Sequence, residues 1–206
     1  MRIENFAGRL TGEEVTIVAG GKTTVDYSAV VRTKNVILIN YALNLAPLFP
    51  NQTLFHVTLH PEILCSHPNL RLDNVIPIVG EWWSNLVPKD IEDKSLLYRT
   101  KQFPDLEAPE LAMTARDLAA GSKSGVLCHV ANSSHCAIHL TWLWGGRRLR
   151  IVGASEYKGL PTSGYDERLN VPEPIATQIT SAQYYISSFR RFVGLLDWDD
   201  VVYAGY

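Results

Sequence analysis

Three cysteines in 206 residues, Cys65, Cys128 and Cys136, are too few and odd in number for a disulfide framework, and they fit a reducing compartment. Cys128 and Cys136 could meet across a hairpin, which leaves one bridge open. No apolar run reaches the roughly 18 residues that a spanning helix needs. The opening Met1-Arg2-Ile3-Glu4-Asn5-Phe6-Ala7-Gly8-Arg9 lacks the long apolar core of a secretory leader, so a cytoplasmic protein is expected. An excess of either charge is also missing: 19 Lys and Arg stand against 21 Asp and Glu. Such a chain is not built to neutralise the many phosphates of a long nucleic acid, whereas a small phosphorylated ligand needs only a local positive patch. With 46% hydrophobic and 19% charged residues, the composition is that of a globular protein and excludes general disorder.

Turn signals divide the chain. Gly20-Gly21 separates two short β-type runs within 14–27 and predicts a hairpin. Residues 35–48 are apolar enough to be buried, with Val36-Ile37-Leu38-Ile39 readable as a core strand and the stretch from Tyr41 leaning helical before Pro47. His60-Pro61 halts any preceding strand. Trp82-Trp83 reads as a core anchor or as a stacking surface for a base. The charged stretch 89–105 looks like a surface excursion between two halves of one domain, giving possible lobes at 1–88 and 106–206. Pro109 opens a helix over 110–120, with acid at its start and Gly121 past its end. A strand follows over 126–130, and Ala131-Asn132-Ser133-Ser134 predicts a turn into a further strand. Gly145-Gly146 then predicts antiparallel pairing with 147–152, where Arg148 and Arg150 share a face. Residues 153–174 form a Gly/Pro/Ser-rich loop of binding-segment length. Ile175, Ile179, Ala182, Ile186, Phe189, Val193 and Leu196 recur at helical spacing and predict a long C-terminal helix packed on the sheet.

Two stretches carry the candidate chemistry. Leu54-Phe55-His56-Val57-Thr58-Leu59 and Ile138-His139-Leu140-Thr141-Trp142 share one pattern, in which a strand would place His and Thr on one face about 7 Å apart at roughly 3.3 Å per residue. The paired His-x-Thr motifs resemble the signature of the two-histidine phosphoesterase superfamily, which includes cyclic phosphodiesterases and enzymes that cut 2′,5′-linked oligonucleotides. The resemblance covers these two short motifs. It implies a bilobal α+β fold with antiparallel sheets, outer helices and a central cleft where the motif strands meet. It also implies a metal-independent phosphodiesterase with no cofactor, with His56 and His139 as acid and base and Thr58 and Thr141 as phosphate binders. The break at Pro61 and the N-terminal hairpin have no counterpart in that family.

Two histidines with pKa values near neutrality suit the proton transfers of phosphodiester cleavage, one taking a proton and one giving it, and hydroxyls aided by Arg148 or Arg150 would meet the charge that gathers on the phosphoryl oxygens. Tyr157, Tyr165, Trp142 and Trp144 are the candidates to stack on a base. The expected partner is a small nucleotide or oligonucleotide substrate, with no long nucleic acid, no membrane and an open oligomeric state. Two other readings stay open. A non-catalytic interaction protein, of immunity or virus structural type, would use a tail patch of Asp197, Trp198, Asp199, Asp200 and Tyr203. A zinc protein would draw on the His and Cys residues gathered in windows 56–67 and 128–139, although neither window shows a Cys-x-x-Cys pair.

Overall fold

Asn35-Val36-Ile37-Leu38-Ile39 offers no polar face to water, so it is stable only as a strand covered on both sides. It forms β2 (Asn35–Ile39), with all five residues buried. The computed structural model describes residues 1–206 except 22, 24, 106, 108, 121–124, 131, 155–166, 172–188 and 205–206. Around β2 lie β1 (Glu14–Val18), β3 (Thr53–Val57), β4 (Val75–Gly80), β5 (Leu96–Gln102), β6 (Val126–His129), β7 (Arg148–Val152) and β8 (Asp200–Ala204). They make one eight-stranded sheet in the order β6-β5-β4-β3-β2-β1-β7-β8. Every neighbouring pair is parallel.

The class is therefore α/β, which overturns the expected α+β arrangement of antiparallel sheets about a cleft. Three local readings account for the error. Gly20-Gly21 is not a hairpin, because β1 pairs in parallel with β2 and β7 and the glycines follow its C-terminal end. The second motif is not a strand either: Ser133–Leu143 is helix α5, started by the Asn132 side chain accepting from the Ser134 N–H at 2.8 Å. Gly145-Gly146 closes that helix instead of a hairpin. Gly145 takes φ +88, its N–H bonds Trp142 O, and the Gly146 N–H bonds Thr141 O, the double return of a Schellman cap. The charged stretch after Pro88 holds a whole strand, β5, so the segments on either side of it share one continuous sheet.

Strand alternation gives the sheet two apolar faces. Val15, Ile17, Ile37, Ile39, Phe55, Val57, Leu149 and Ile151 enter one core, with α4 (Pro109–Ala120), α5 and the helical residues 189–193. Val18, Val36, Leu38, Leu54, Val75, Val79 and Val152 enter the other, with α1 (Tyr27–Val30), α2 (Pro61–Ser66), α3 (Lys89–Glu92) and the 3₁₀ segments Asn40–Leu48 and Pro68–Arg71. Helix α4 matches its prediction. Of the predicted C-terminal helix, Phe189, Phe192 and Val193 are described and buried, and the part over 175–188 lies outside the described residues.

Helix α5 is the centre of the first layer. It touches β1, β2 and β3 on one side and α4 on another, and the His135 ring stacks on Phe192 at 4.4 Å. At its end Trp144 is 1% exposed, donates through Nε1 to Ile3 O at 2.9 Å and meets the rings of Phe6 and Phe55.

Replacing Gly145 by Ala places a Cβ 2.4 Å from Thr11 Oγ1 in a left-handed conformation. Gly145→Ala is expected to cost about 1 to 3 kcal/mol, read as a lowered urea midpoint with unchanged slope.

Candidate functional site

In an open parallel sheet, ligands bind outside the C-terminal ends of the strands, where successive connections leave in opposite directions. Here that point lies between β1, whose chain moves on to β2, and β7, reached by the return from β6 on the far side of β1. The registers Val18↔Leu38, Ile39↔Val57 and Val18↔Val152, continued by one or two residues, line up Gly20, Asn40 and Thr58, with Gly153 beside Ala19.

The backbones after β1 and β7 run close together. The Ala19 N–H donates to Val152 O at 2.8 Å and the Gly21 N–H to Gly153 O at 2.7 Å. A Cβ on Gly21 would lie 2.5 Å from Gly153 O, and one on Gly153, where φ is +73, 2.4 Å from Ala19 O. Only glycine permits this approach. Arg168 then straps the later loop to the earlier one: its guanidinium donates to Thr23 O at 2.5 Å and to Val25 O at 2.8 Å, and it lies 4.5 Å over the Tyr27 ring.

Asn40 stands next in the row. Its φ of +52 is left-handed, a conformation that asparagine tolerates better than most side chains. The chain leaves the sheet there into the 3₁₀ segment Asn40–Leu48, and the His56 ring meets Asn40 O through Nε2 at 3.0 Å. The Thr58 hydroxyl donates to Asn40 Oδ1 at 2.8 Å and accepts from the His60 N–H at 3.0 Å. Tyr98 O–H reaches Thr58 O at 3.4 Å. Both oxygens of Asn40 are thus occupied, and its half-buried carboxamide keeps two N–H donors without an acceptor among the described residues.

Compared with family models, curated proteins and solved structures, the chain matches none.

The other predicted site residues are placed apart from this row. His56 sits on the face of β3 covered by 40–48, whereas His139 belongs to α5 on the opposite face, so the sheet stands between the rings. Both are 0% exposed. His139 Nδ1 accepts from the Cys128 N–H at 2.8 Å and Nε2 donates to Ala115 O at 3.0 Å, which ties β6 and α4 to α5. Thr141 returns its hydroxyl to Ala137 O at 2.9 Å, as a helical threonine does. The expected convergence of His56, Thr58, His139 and Thr141 on one phosphate is not the arrangement found. Arg148 opens β7 at the amino edge of the sheet and donates to Gly12 O, and Arg150 pairs with Glu14 at 2.9 Å, both remote from the carboxyl edge. Trp142 is 7% exposed, donates to Asp197 O at 3.0 Å and carries Arg147 at 4.5 Å from its ring centre. Tyr157 and Tyr165 lie outside the described residues. Of the tail residues read as an aromatic or acidic patch, Asp200 and Tyr203 lie in β8, and Asp197, Asp199 and Asp200 are exposed.

Among the described residues, no three His, Cys, Asp or Glu side chains gather as metal ligands, and no helix is long and apolar enough to cross a membrane. The three cysteines are free thiols. Cys65 is exposed, while burial pushes Cys128 up to about 12 and Cys136 upward as well. Burial likewise lowers His56 to about 3 against the pull of its bond to Asn40 O, and lowers His139 to about 4.

Asn40 was missed by a search for titratable pairs. Its sequence signal was an asparagine directly after a fully apolar strand, where a left-handed residue ends the run.

Folded-state values below the ordinary histidine value mean that the unfolded chain takes up protons first as pH falls. Stability is therefore complete above about pH 6.5 and declines through the window down to about 3 and 4. Each histidine contributes a slope of about 1.4 kcal/mol per pH unit inside its window, so urea midpoints at pH 5 are expected well below those at pH 7. Equal midpoints would contradict the burial of these rings.

Proposed function

We propose that the protein binds a nucleotide or a closely related phosphorylated small molecule at the carboxyl edge of its sheet, at the reversal between β1 and β7. The observation that carries this reading is Asn40: a left-handed residue with both oxygens taken internally and its amide donors left over, one strand from the Gly-rich segment after β1. A strained, over-determined residue at the edge of a doubly wound sheet is a mark of a ligand site. The segment itself reads Gly20-Gly21-Lys22-Thr23, which joins two small residues to a cation and a hydroxyl, the types that accommodate phosphate. Net charge of −2 agrees with a compact anion as partner, since a local cation suffices for it.

This reading keeps the nucleotide phosphate as ligand and gives up the two-histidine chemistry, because each imidazole is already committed to a backbone carbonyl on its own side of the sheet. Asn40 donors would take a phosphate or sugar oxygen, and the glycine backbone would allow the ligand close to the chain.

The test is thermal unfolding with ADP, GDP, CDP and UDP, each titrated separately, with the parent nucleosides as controls. At about 100 times Kd a ligand adds about 2.7 kcal/mol, which for a chain of this size raises Tm by roughly 5 to 10 °C. At least one diphosphate is expected to do so, its nucleoside to do so weakly, and Lys22→Ala to reduce the shift. No shift with any of the four at millimolar concentration would overturn the proposal.

A further inference from the structure

The His56-Val57-Thr58 motif has no acid/base partner across the sheet, yet a buried histidine and a buried threonine on a central strand ask for a reason. Leucine and valine would pack there without polar atoms to satisfy, and His56 Nδ1 has no hydrogen-bond partner among the described residues. What the two side chains do have is a common target. His56 donates to the backbone oxygen of Asn40 and Thr58 to its side-chain oxygen.

We infer that His56 and Thr58 are positioning residues, which together lock Asn40 in its left-handed conformation and aim its carboxamide N–H donors at an acceptor oxygen of a bound phosphorylated ligand. The inference deepens the nucleotide-site reading and rests on it for the identity of the ligand.

The geometry divides the work between the two side chains. The left-handed residue after β2 opens the 3₁₀ segment Asn40–Leu48, and the His56 Nε2–H adds a bond from β3 to its carbonyl, which fixes that peptide plane and so stabilises the turn itself. Rotation of the Asn40 carboxamide is a separate freedom. Thr58 restricts it, because its oxygen already accepts from the His60 N–H and its proton is thereby directed to Asn40 Oδ1. With Oδ1 held, Nδ2 must point the other way. Thr58, which directly follows β3, is in turn held through its carbonyl by Tyr98 from β5, so the orientation is fixed from two strands. A donor held in place before the ligand arrives does not lose rotational freedom on binding.

The second His-x-Thr pair shows the contrast. His139 and Thr141 bond the helix, β6 and α4 to one another and hold no residue at the sheet's edge.

The test combines conservative and non-conservative variants with two readouts. Calorimetry with the tightest of ADP, GDP, CDP and UDP, run well below each variant's Tm, is expected to give Thr58→Val and His56→Leu Kd values 5- to 10-fold weaker. Thr58→Ser and His56→Gln, which keep a donor, should stay within about twofold. Asn40→Gly, which accepts the left-handed turn without strain but leaves the buried Thr58 hydroxyl without its acceptor, should keep a single cooperative transition at a Tm lower by a few degrees and lose at least 10-fold in affinity. In the second readout, the Asn40 side-chain amide pair in a ¹⁵N–¹H spectrum should move toward free-carboxamide positions in Thr58→Val and stay in Thr58→Ser, with no ligand present. Unchanged amide signals and unchanged Kd in both Thr58→Val and His56→Leu would overturn the positioning role even if nucleotides bind the wild type. Amide signals that respond as expected while no nucleotide binds would uphold the positioning and sink the ligand identity alone.

Discussion

A parallel sheet with helices on both sides leaves its strands no wet face, and most of the structure follows from that constraint. The central strands must be apolar at consecutive positions, as β2 is, and any polar group admitted to them must find its partner inside. Thr16 bonds Thr33, His56 bonds Asn40 O, and Thr58 bonds Asn40 Oδ1. Helix α5 obeys the same condition in another form. It lies under three strands and is covered in turn by α4 and the segment around Phe192, so its residues are buried from Ser133 to Trp142 almost without interruption.

How much of this could be read in advance depends on how each element meets water. Helix α4 has one exposed side, and its terminal proline, acid and glycine signals were legible. Helix α5 has no such side; without a polar stripe its apolar residues show no period of 3.6, and the alternation of His139, Thr141 and their neighbours passed for a strand. The two Gly-Gly pairs were legible as turns but not as kinds of turn. Gly145-Gly146 terminates a helix and Gly20-Gly21 follows a strand whose neighbours run parallel, a distinction set by partners distant in sequence. Strand β5 was hidden by Arg99, Lys101 and Gln102, which lie toward the edge of the sheet where β5 meets only the short β6.

The candidate site was half legible. His56 and Thr58 were picked out by residue type, and they do act as a pair, but on Asn40 rather than on a shared phosphate with His139. Residue type reports what a side chain can donate. Only the register between β2 and β3 reveals to whom, and that register pairs residues 18 apart, Ile39 with Val57 among them. Asn40 itself carries no charge and titrates nowhere useful, so a search built on proton transfer passes over it.

The contrast among the thiols has a practical side. Cys128 and Cys136 sit in the interior with little thiolate available at neutral pH, whereas Cys65 is open to solvent on α2, its Sγ 3.3 Å from Leu86 O. A maleimide dye applied to the folded, unmutated chain would thus settle on a single address, giving a fluorescent reporter beside the same edge of the sheet without any engineering of the sequence.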